Sequence, residues 1–244
     1  MNELESRTAL VTGGSRGIGA AVALRLAEAG ANVAITYISD EAAATEVVQK
    51  IRATGRRAVA LRADNGDAVQ AAGAVDRVVA ALGGLDILVN NAASVPFVPS
   101  DEVTQLDRVL AVNVKVPFRT TQAALRHMGE GASVVTIGSN VTEYVPFPGL
   151  TLYAMSRSAL LGMTRGLARE VGPRGITVTL LSPGPIDTDA NPADGPNPDG
   201  IRSLVPLGRF GRAEEIADTV VHLVGPGGRF VTGTEIHVDG GINA

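Results

Sequence analysis

No cysteine occurs among the 244 residues, which excludes disulfides, thiolate nucleophiles and Cys-ligated metals. Lysine is nearly missing as well. Of the 21 basic residues only Lys50 and Lys115 are lysine, a bias of the kind genomic codon usage imposes, with no function attached. No apolar run approaches the roughly 20 residues that span a bilayer, so no membrane helix is expected. The first residues, Met1 to Glu5, are acidic and lack an apolar stretch; no secretory signal is expected, and the cytoplasm is the expected compartment. Positive charge is not in excess either. A formal net charge of −4 argues against non-specific nucleic-acid binding. The three histidines, His127, His222 and His237, show no metal-ligand spacing, and no metal site is expected. No repeat and no linker divides the chain, so residues 1–244 are expected to form a single domain. The one compositional break, Pro183 to Pro198, is rich in Pro, Gly, Asp and Asn. It reads as a long functional loop, with a substrate loop at about 189–205.

What is present is an alternation. Short β-branched runs at Thr8–Thr12, Asn32–Tyr37, Ala58–Leu61, Ile87–Asn90, Ser133–Ile137, Thr177–Leu181 and Glu235–Val238 predict strands. Between them, helical patterns cover Gly17–Ala29, Glu41–Ala53, Asp67–Leu82, Asp101–His127, Leu152–Val171 and Ala213–Leu223. Apolar strands joined by helices predict a seven-stranded, doubly wound parallel α/β sheet with helices on both faces. Ligands of such sheets lie beyond the carboxyl ends of the strands, so chemistry is sought there.

The first strand end carries Thr12-Gly13-Gly14-Ser15-Arg16-Gly17-Ile18-Gly19, opening a helix. Glycine permits positive φ and close backbone approach, and a helix N-terminus offers free N–H groups to a pyrophosphate. This context, strand then glycines then helix, predicts nucleotide binding. Gly13, Ser15, Arg16, Gly17, Ile18 and Gly19 are the candidate contacts. The second strand ends at Tyr37-Ile38-Ser39, without the acid that selects NAD by bonding the ribose 2′-OH. Asp40 comes slightly late and reads equally as a helix N-cap. Arg16 offers a charge-assisted bond to a 2′-phosphate, so NADP is favoured over NAD, with Tyr37 and Ser39 beside it. Asp64-Asn65 after the third strand is placed to bond an adenine edge. Asn91-Ala92-Ala93 after the fourth lets backbone approach a cofactor. Ser182 to Thr188 follows the sixth.

Tyr153 and Arg157 stand at i and i+4, sharing one helix face. A fixed cation beside a phenol favours the phenolate, which general acid–base work near neutral pH requires. Alone, the pair reads as readily as a Tyr and a surface Arg on a solvated helix.

Assembled, Thr12-Gly13-x3-Gly17-x-Gly19, Asp64, Asn90-Asn91-Ala92, Asn113, Ser139, Tyr153 and Pro183-Gly184 resemble the short-chain dehydrogenase/reductase family over essentially the whole chain. The resemblance implies a Rossmann-type fold, NADP(H), and hydride transfer between nicotinamide and a carbonyl or secondary alcohol. It also implies a homodimer or homotetramer, with the segment from Phe230 to Gly241 packing between subunits. In that reading Tyr153 exchanges the proton of the carbonyl oxygen, and Ser139 bonds and orients that oxygen. Asn113 shapes a helix and holds a water; Asn91 lines the adenosine ribose. Pro183 and Gly184 bring backbone to the cofactor, while Ile186 and Thr188 hold the carboxamide and pyrophosphate. Two positions depart from the family pattern. Arg157 stands where lysine is usual, beside the nicotinamide ribose that it and Tyr153 would bond. It keeps charge and donors but does not readily lose a proton, which implies a slower enzyme. Ala93 replaces a common glycine.

A narrower likeness, carried by Phe147-Pro148-Gly149, the Tyr153 to Leu160 segment and the Gly184 to Pro196 loop, is to a bacterial subgroup of biofilm-dispersal reductase-like proteins associated with cyclic diguanylate. It sustains an alternative: a dinucleotide- or cyclic-dinucleotide-binding regulator with little turnover. The segments Ser94–Pro99, Val141–Leu150 and Ala190–Val205 are expected to form an apolar pocket for a neutral small molecule, with a 3-oxoacyl thioester on a carrier as a further possibility.

Overall fold

The computed structural model describes residues 3–101 and 104–244. Seven of the apolar runs become strands of one sheet: β1 (Thr8–Val11), β2 (Asn32–Tyr37), β3 (Ala58–Arg62), β4 (Ile87–Asn90), β5 (Ser133–Ile137), β6 (Thr177–Pro183) and, at the C-terminal end, β9 (Thr234–Val238). All pair in parallel, in the order β3-β2-β1-β4-β5-β6-β9. The helices are α1 (Gly17–Glu28), α2 (Glu41–Ala53), α3 (Ala68–Leu82), α4 (Leu106–Leu110), α5 (Val116–Ala124), α6 (Thr151–Val171), α7 (Pro198–Leu204) and α8 (Ala213–Val224). Strand order turns back between β1 and β4, the switch point at which such sheets open a crevice for ligands.

Alternation of side chains across the pleat splits the core into two layers. Ala9, Val11, Val33, Ile35, Val89 and Ile137 face α1, α2 and α8, where Val22, Leu26, Ile51, Ile216 and Val220 close the layer. Leu10, Ala34, Leu88, Val134 and Val178 face the other way, onto Val75 and Val78 of α3, Ala123 and Ala124 of α5, and Leu167 and Val171 of α6. Each fully buried Leu, Ile or Val contributes about 1.5–3 kcal/mol. Two acids fix helix starts: Asp40 accepts from the Ala43 N–H, and Asp67 from the Val69 and Gln70 N–H groups.

Two expectations need correction. The segment Asp101–His127 is not one helix. Asp101, Thr104 and Gln105 precede the first turn, and Glu102 and Val103 lie outside the described residues. α4 then runs into a π-helical turn, Ala111–Lys115, before α5 begins. The cause is Pro117, which has no N–H for the carbonyl of Asn113 and whose ring crowds it. The backbone widens upstream, and Val116 N–H bonds Ala111 O instead. Residues 189–205 are also more ordered than a loop: α7 occupies their second half. Before it, β7 (Ile186–Asp187) pairs with β8 (Gly211–Arg212), just ahead of α8.

Candidate active site

The glycine turn is fixed from three sides. Gly13 has φ +64° and Gly17 φ +54°, a region that an L side chain rarely enters. Thr36 Oγ1 accepts from the Gly13 N–H at 3.1 Å and lies 3.5 Å from Asn65 Oδ1. Thr12 Oγ1 accepts from the backbone N–H groups of Asn91 and Ala92 at 3.0 and 3.2 Å. Asn91 Nδ2 donates to Thr12 O and Gly13 O at 2.9 and 3.1 Å. A Cβ on Gly19 would stand 2.4 Å from Gly13 O, so the start of α1 packs directly on the turn. Neither a side-chain cap nor an acid of the first turn occupies the N–H groups of α1. Ser15, Gly17 and Ile18 are half-buried, and Arg16 is exposed at the N-cap position. Thr188 lies across from Gly17, 3.5 Å from where its Cβ would be. The turn thus meets Thr188.

Tyr37 is buried at the end of β2 and Ser39 exposed beyond it. Ala92 is half-buried, Ala93 exposed, Pro183 buried and Gly184 half-buried. Two of these residues are engaged within the protein. The Asn91 amide nitrogen clasps the turn. Asp64 does not offer free oxygens to an adenine edge: Arg108 engages both, at 2.9 and 3.2 Å, and the Gly66 N–H donates to Oδ1 at 2.8 Å. Those bonds, Arg108 first, hold the Asp64 carboxyl below its ordinary range.

At the other end of the crevice, Ser139 and Tyr153 are both 8% exposed. Tyr153 packs with Val141 and Leu150, and Val141 stands two residues beyond Ser139 in a tight turn, Asn140–Thr142. Asn113, in the π-helical turn, is wholly buried. Its Oδ1 accepts from Ser94 N–H at 2.8 Å; its Nδ2 donates to Ser94 O at 2.8 Å and to Ser156 Oγ at 2.9 Å. Ser156 Oγ donates in turn to Tyr153 O at 2.8 Å. One amide therefore ties the segment after β4 to the helix that carries Tyr153.

Arg157 is no surface residue. It is 2% exposed, with Cζ over the Tyr153 ring, 5.2 Å from its centroid. Nη1 donates to Ile137 O at 3.3 Å, and the buried Nε has no partner. None of the described residues forms an ion pair with it. A buried guanidinium without an anion is costly.

The expected pocket segments meet in two separate pairs, and the cavity at the second is lined by polar as well as apolar groups. Val98 N–H bonds Gly149 O at 3.0 Å, with Val95, Phe97 and Val145 exposed beside it. Glu143 and Tyr144, Ser203 and Leu204 of α7, and the tail Ile242–Ala244 line a cavity of about 540 Å³.

Sequence reasoning missed several supporting residues. Thr12 and Ser156 were readable, one as the last residue before the glycines, the other three places after Tyr153 on a helix. Thr36, Arg108 and Glu235 depend on contacts between distant elements. So does the meeting of Glu143, Glu235 and His237, whose ligand atoms lie within 4.8 Å of one another. Asn243 Nδ2 sits 3.1 Å from Asn140 O and 3.3 Å from His237 Nδ1. His237 Nε2 faces the two carboxylates, 3.6 Å from Glu143 and 4.0 Å from Glu235.

A family model described as enoyl-(acyl carrier protein) reductase matches residues 13–243. The chain belongs to the short-chain dehydrogenase/reductase family of oxidoreductases. Among relatives, the cyclic-di-GMP-binding biofilm dispersal mediator protein of Escherichia coli (strain K12) is 44% identical over 246 residues, covering 100% of both chains. A short-chain dehydrogenase from Burkholderia cenocepacia J2315, solved in complex with NADP, has a TM-score of 0.98 at 51% identity, over 99% of this chain and 100% of that one. A blue fluorescent protein from a metagenomic library, solved with NADPH, has a TM-score of 0.98 at 48% identity, again over 99% and 100%.

Proposed function

We propose that this short-chain dehydrogenase/reductase is an NADP(H)-dependent reductase of small neutral carbonyl compounds, or the corresponding alcohol dehydrogenase. The observation that carries the reading is Arg157: a guanidinium 2% exposed, stacked on Tyr153 and without an ion-pair partner among the described residues. A bare regulatory nucleotide site has no need of such a group braced beside a buried phenol, so the regulatory alternative has less support.

The residues suit the cofactor. Gly13, Ser15, Gly17, Ile18 and Gly19 offer backbone to the pyrophosphate, and Arg16 meets the 2′-phosphate. Asp40, engaged as a helix cap, leaves no acid to select NAD. Tyr37, Ser39 and Asn65 lie toward the adenosine end; Ala92, Ala93, Pro183, Gly184, Ile186 and Thr188 lie toward the nicotinamide. When bound, the cofactor supplies the hydride. Tyr153 gives its phenolic proton to the carbonyl oxygen, Ser139 Oγ–H bonds that oxygen, and Asn113 holds the Tyr153 helix in place through Ser156. Arg157 keeps positive charge at the phenol and donors toward the ribose, but passes no proton onward. The family's lysine can, so turnover is slower than a lysine would allow.

Glu143 lines the cavity against α7, and Asp187, Asp189 and Asp194 are exposed on the segment leading to that helix. Acidic groups there repel an acidic carrier protein and favour free, uncharged substrates. Assembly as a homodimer or homotetramer is supported by large apolar side chains left in solvent: Leu106, Phe118, Met155 and a fully exposed Phe230. None of the described helices is long and apolar enough to cross a membrane; a cytoplasmic site of action is part of the proposal.

The test is a fluorescence titration with NADPH and NADH, followed by a ketone panel. Preferred NADPH binding with oxidation by uncharged ketones is expected. Tight binding without oxidation across the panel supports the regulatory reading, and binding of neither dinucleotide removes the reductase reading.

A further inference from the structure

A carboxylate outside the reacting set braces the serine turn. Glu235 sits on β9, at the edge of the sheet, with its side chain only 8% exposed. Its Oε1 accepts from Ser182 Oγ at 2.6 Å and from Thr142 Oγ1 at 2.9 Å. Both donors touch the segment that carries Ser139, one at each end. Ser182 Oγ lies against Gly138, 2.4 Å from where a Cβ would stand, and Gly138 N–H is bonded to Leu181 O at 2.7 Å. Thr142 closes the turn that Ser139 opens, its N–H reaching Ser139 O at 3.3 Å.

The Thr142 hydroxyl has one proton and two acceptors in reach, Glu235 Oε1 at 2.9 Å and Ser139 O at 3.1 Å. The charged, nearer oxygen makes the stronger bond. With Glu235 present, Thr142 is drawn outward to β9; with it gone, the hydroxyl falls back onto the serine's own carbonyl. His237 Nε2, 4.0 Å from Oε1, and Glu143, 3.6 Å from His237, are the other charged or titratable groups facing this corner.

We propose that Glu235 is a positioning residue: through Ser182 and Thr142 its carboxylate fixes the Gly138–Thr142 turn and so the direction of the Ser139 hydroxyl. This rests on the reading of Ser139 as the group that bonds the substrate oxygen. Small misplacements at a reacting centre cost about 10²-fold in rate, so a loss of about tenfold from a loosened turn is in range.

The experiment compares Glu235→Leu, Glu235→Gln and Thr142→Val in the parent and in a Ser139→Ala background. It measures kcat, KM for a ketone, the NADPH dissociation constant by fluorescence, and Tm. Glu235→Leu and Thr142→Val are expected to lower kcat about tenfold with NADPH affinity within about twofold of the parent. Glu235→Gln, whose amide oxygen accepts both hydroxyls, restores most of the rate. In the Ser139→Ala background the substitutions have no further effect on kcat. A fall in Tm with kcat unchanged, or an equal loss of kcat with and without Ser139, overturns the proposal. If Glu235→Leu fails to fold, Thr142→Val, which deletes one hydroxyl, decides alone. A parent that oxidises no NADPH with any ketone defeats the functional reading and this proposal together; a parent that turns over, with Thr142→Val unchanged, defeats only this proposal.

Discussion

At the scale of residues, the proposed function puts weight on two arginines. It assigns the NADP preference to Arg16, since a charge-assisted bond to a phosphate is worth about 1.5–3 kcal/mol. Arg16→Ala is therefore expected to weaken NADPH binding about 10- to 100-fold and to leave NADH nearly unchanged, measured by titrating each. It assigns the limit on rate to Arg157. Arg157→Lys restores a group that can lose a proton and is expected to raise kcat several-fold; a fall in kcat on a well-turned-over ketone refutes the account of this site. The i, i+4 spacing made the Tyr153–Arg157 pair legible in the sequence. Its burial was not, because burial depends on Ile137 and the β5 end packing over the helix. Asp64 shows the opposite limit: its place after β3 was readable, but its engagement by Arg108, 44 positions away, was not.

At the scale of elements, the π-helical turn is a brace between the segment after β4 and α6. Asn113 makes three hydrogen bonds from a fully buried site, and losing them strands Ser94 N–H. Asn113→Ala is expected to destabilise the fold by about 2–4 kcal/mol, seen in urea denaturation, and to depress kcat through Tyr153. The sequence held the clue in Val116-Pro117, since a proline inside a helical pattern frees the carbonyl four places back. Apolar periodicity ran through it unbroken, which is why a single helix was expected. At the start of α8, Arg209 bonds and the Arg212 N–H hold the Glu215 carboxyl at about 2, against 4.5 ordinarily. A carboxyl more acidic in the folded chain than in the unfolded one contributes stability that is complete above its unfolded value and is lost as pH falls toward the folded one. Arg209 is half in solvent, so screening leaves a contribution of about 1 kcal/mol. Glu215→Gln should cost that much at pH 7, and the gap to the parent should close between pH 4.5 and 2, followed by denaturant melts across that range.

At the scale of the whole molecule, alternating strands and helices were enough to read the doubly wound sheet and to place each of its seven strands to within two residues. The order of strands was not readable, because pairing β1 with β4 joins Ala9 to Ile87 and no local signal reaches that far. The same limit applies to surfaces between copies. Exposed Phe118 and Phe230 are expected to lie in contacts between subunits, so Phe118→Asp or Phe230→Asp should each lower the molar mass found by light scattering. A parent that is monomeric at micromolar concentration contradicts that expectation.

The clasp of Asn91 on Thr12 and Gly13 bridges 79 positions of chain. A ribosome that has released only β1 to β3 has made every glycine of the phosphate turn but not the side chain that shapes it. The nascent protein therefore has no grip on a dinucleotide until the fourth strand has emerged and docked, and a graft of the glycine segment alone into another sheet would carry the letters of the fingerprint without its hand.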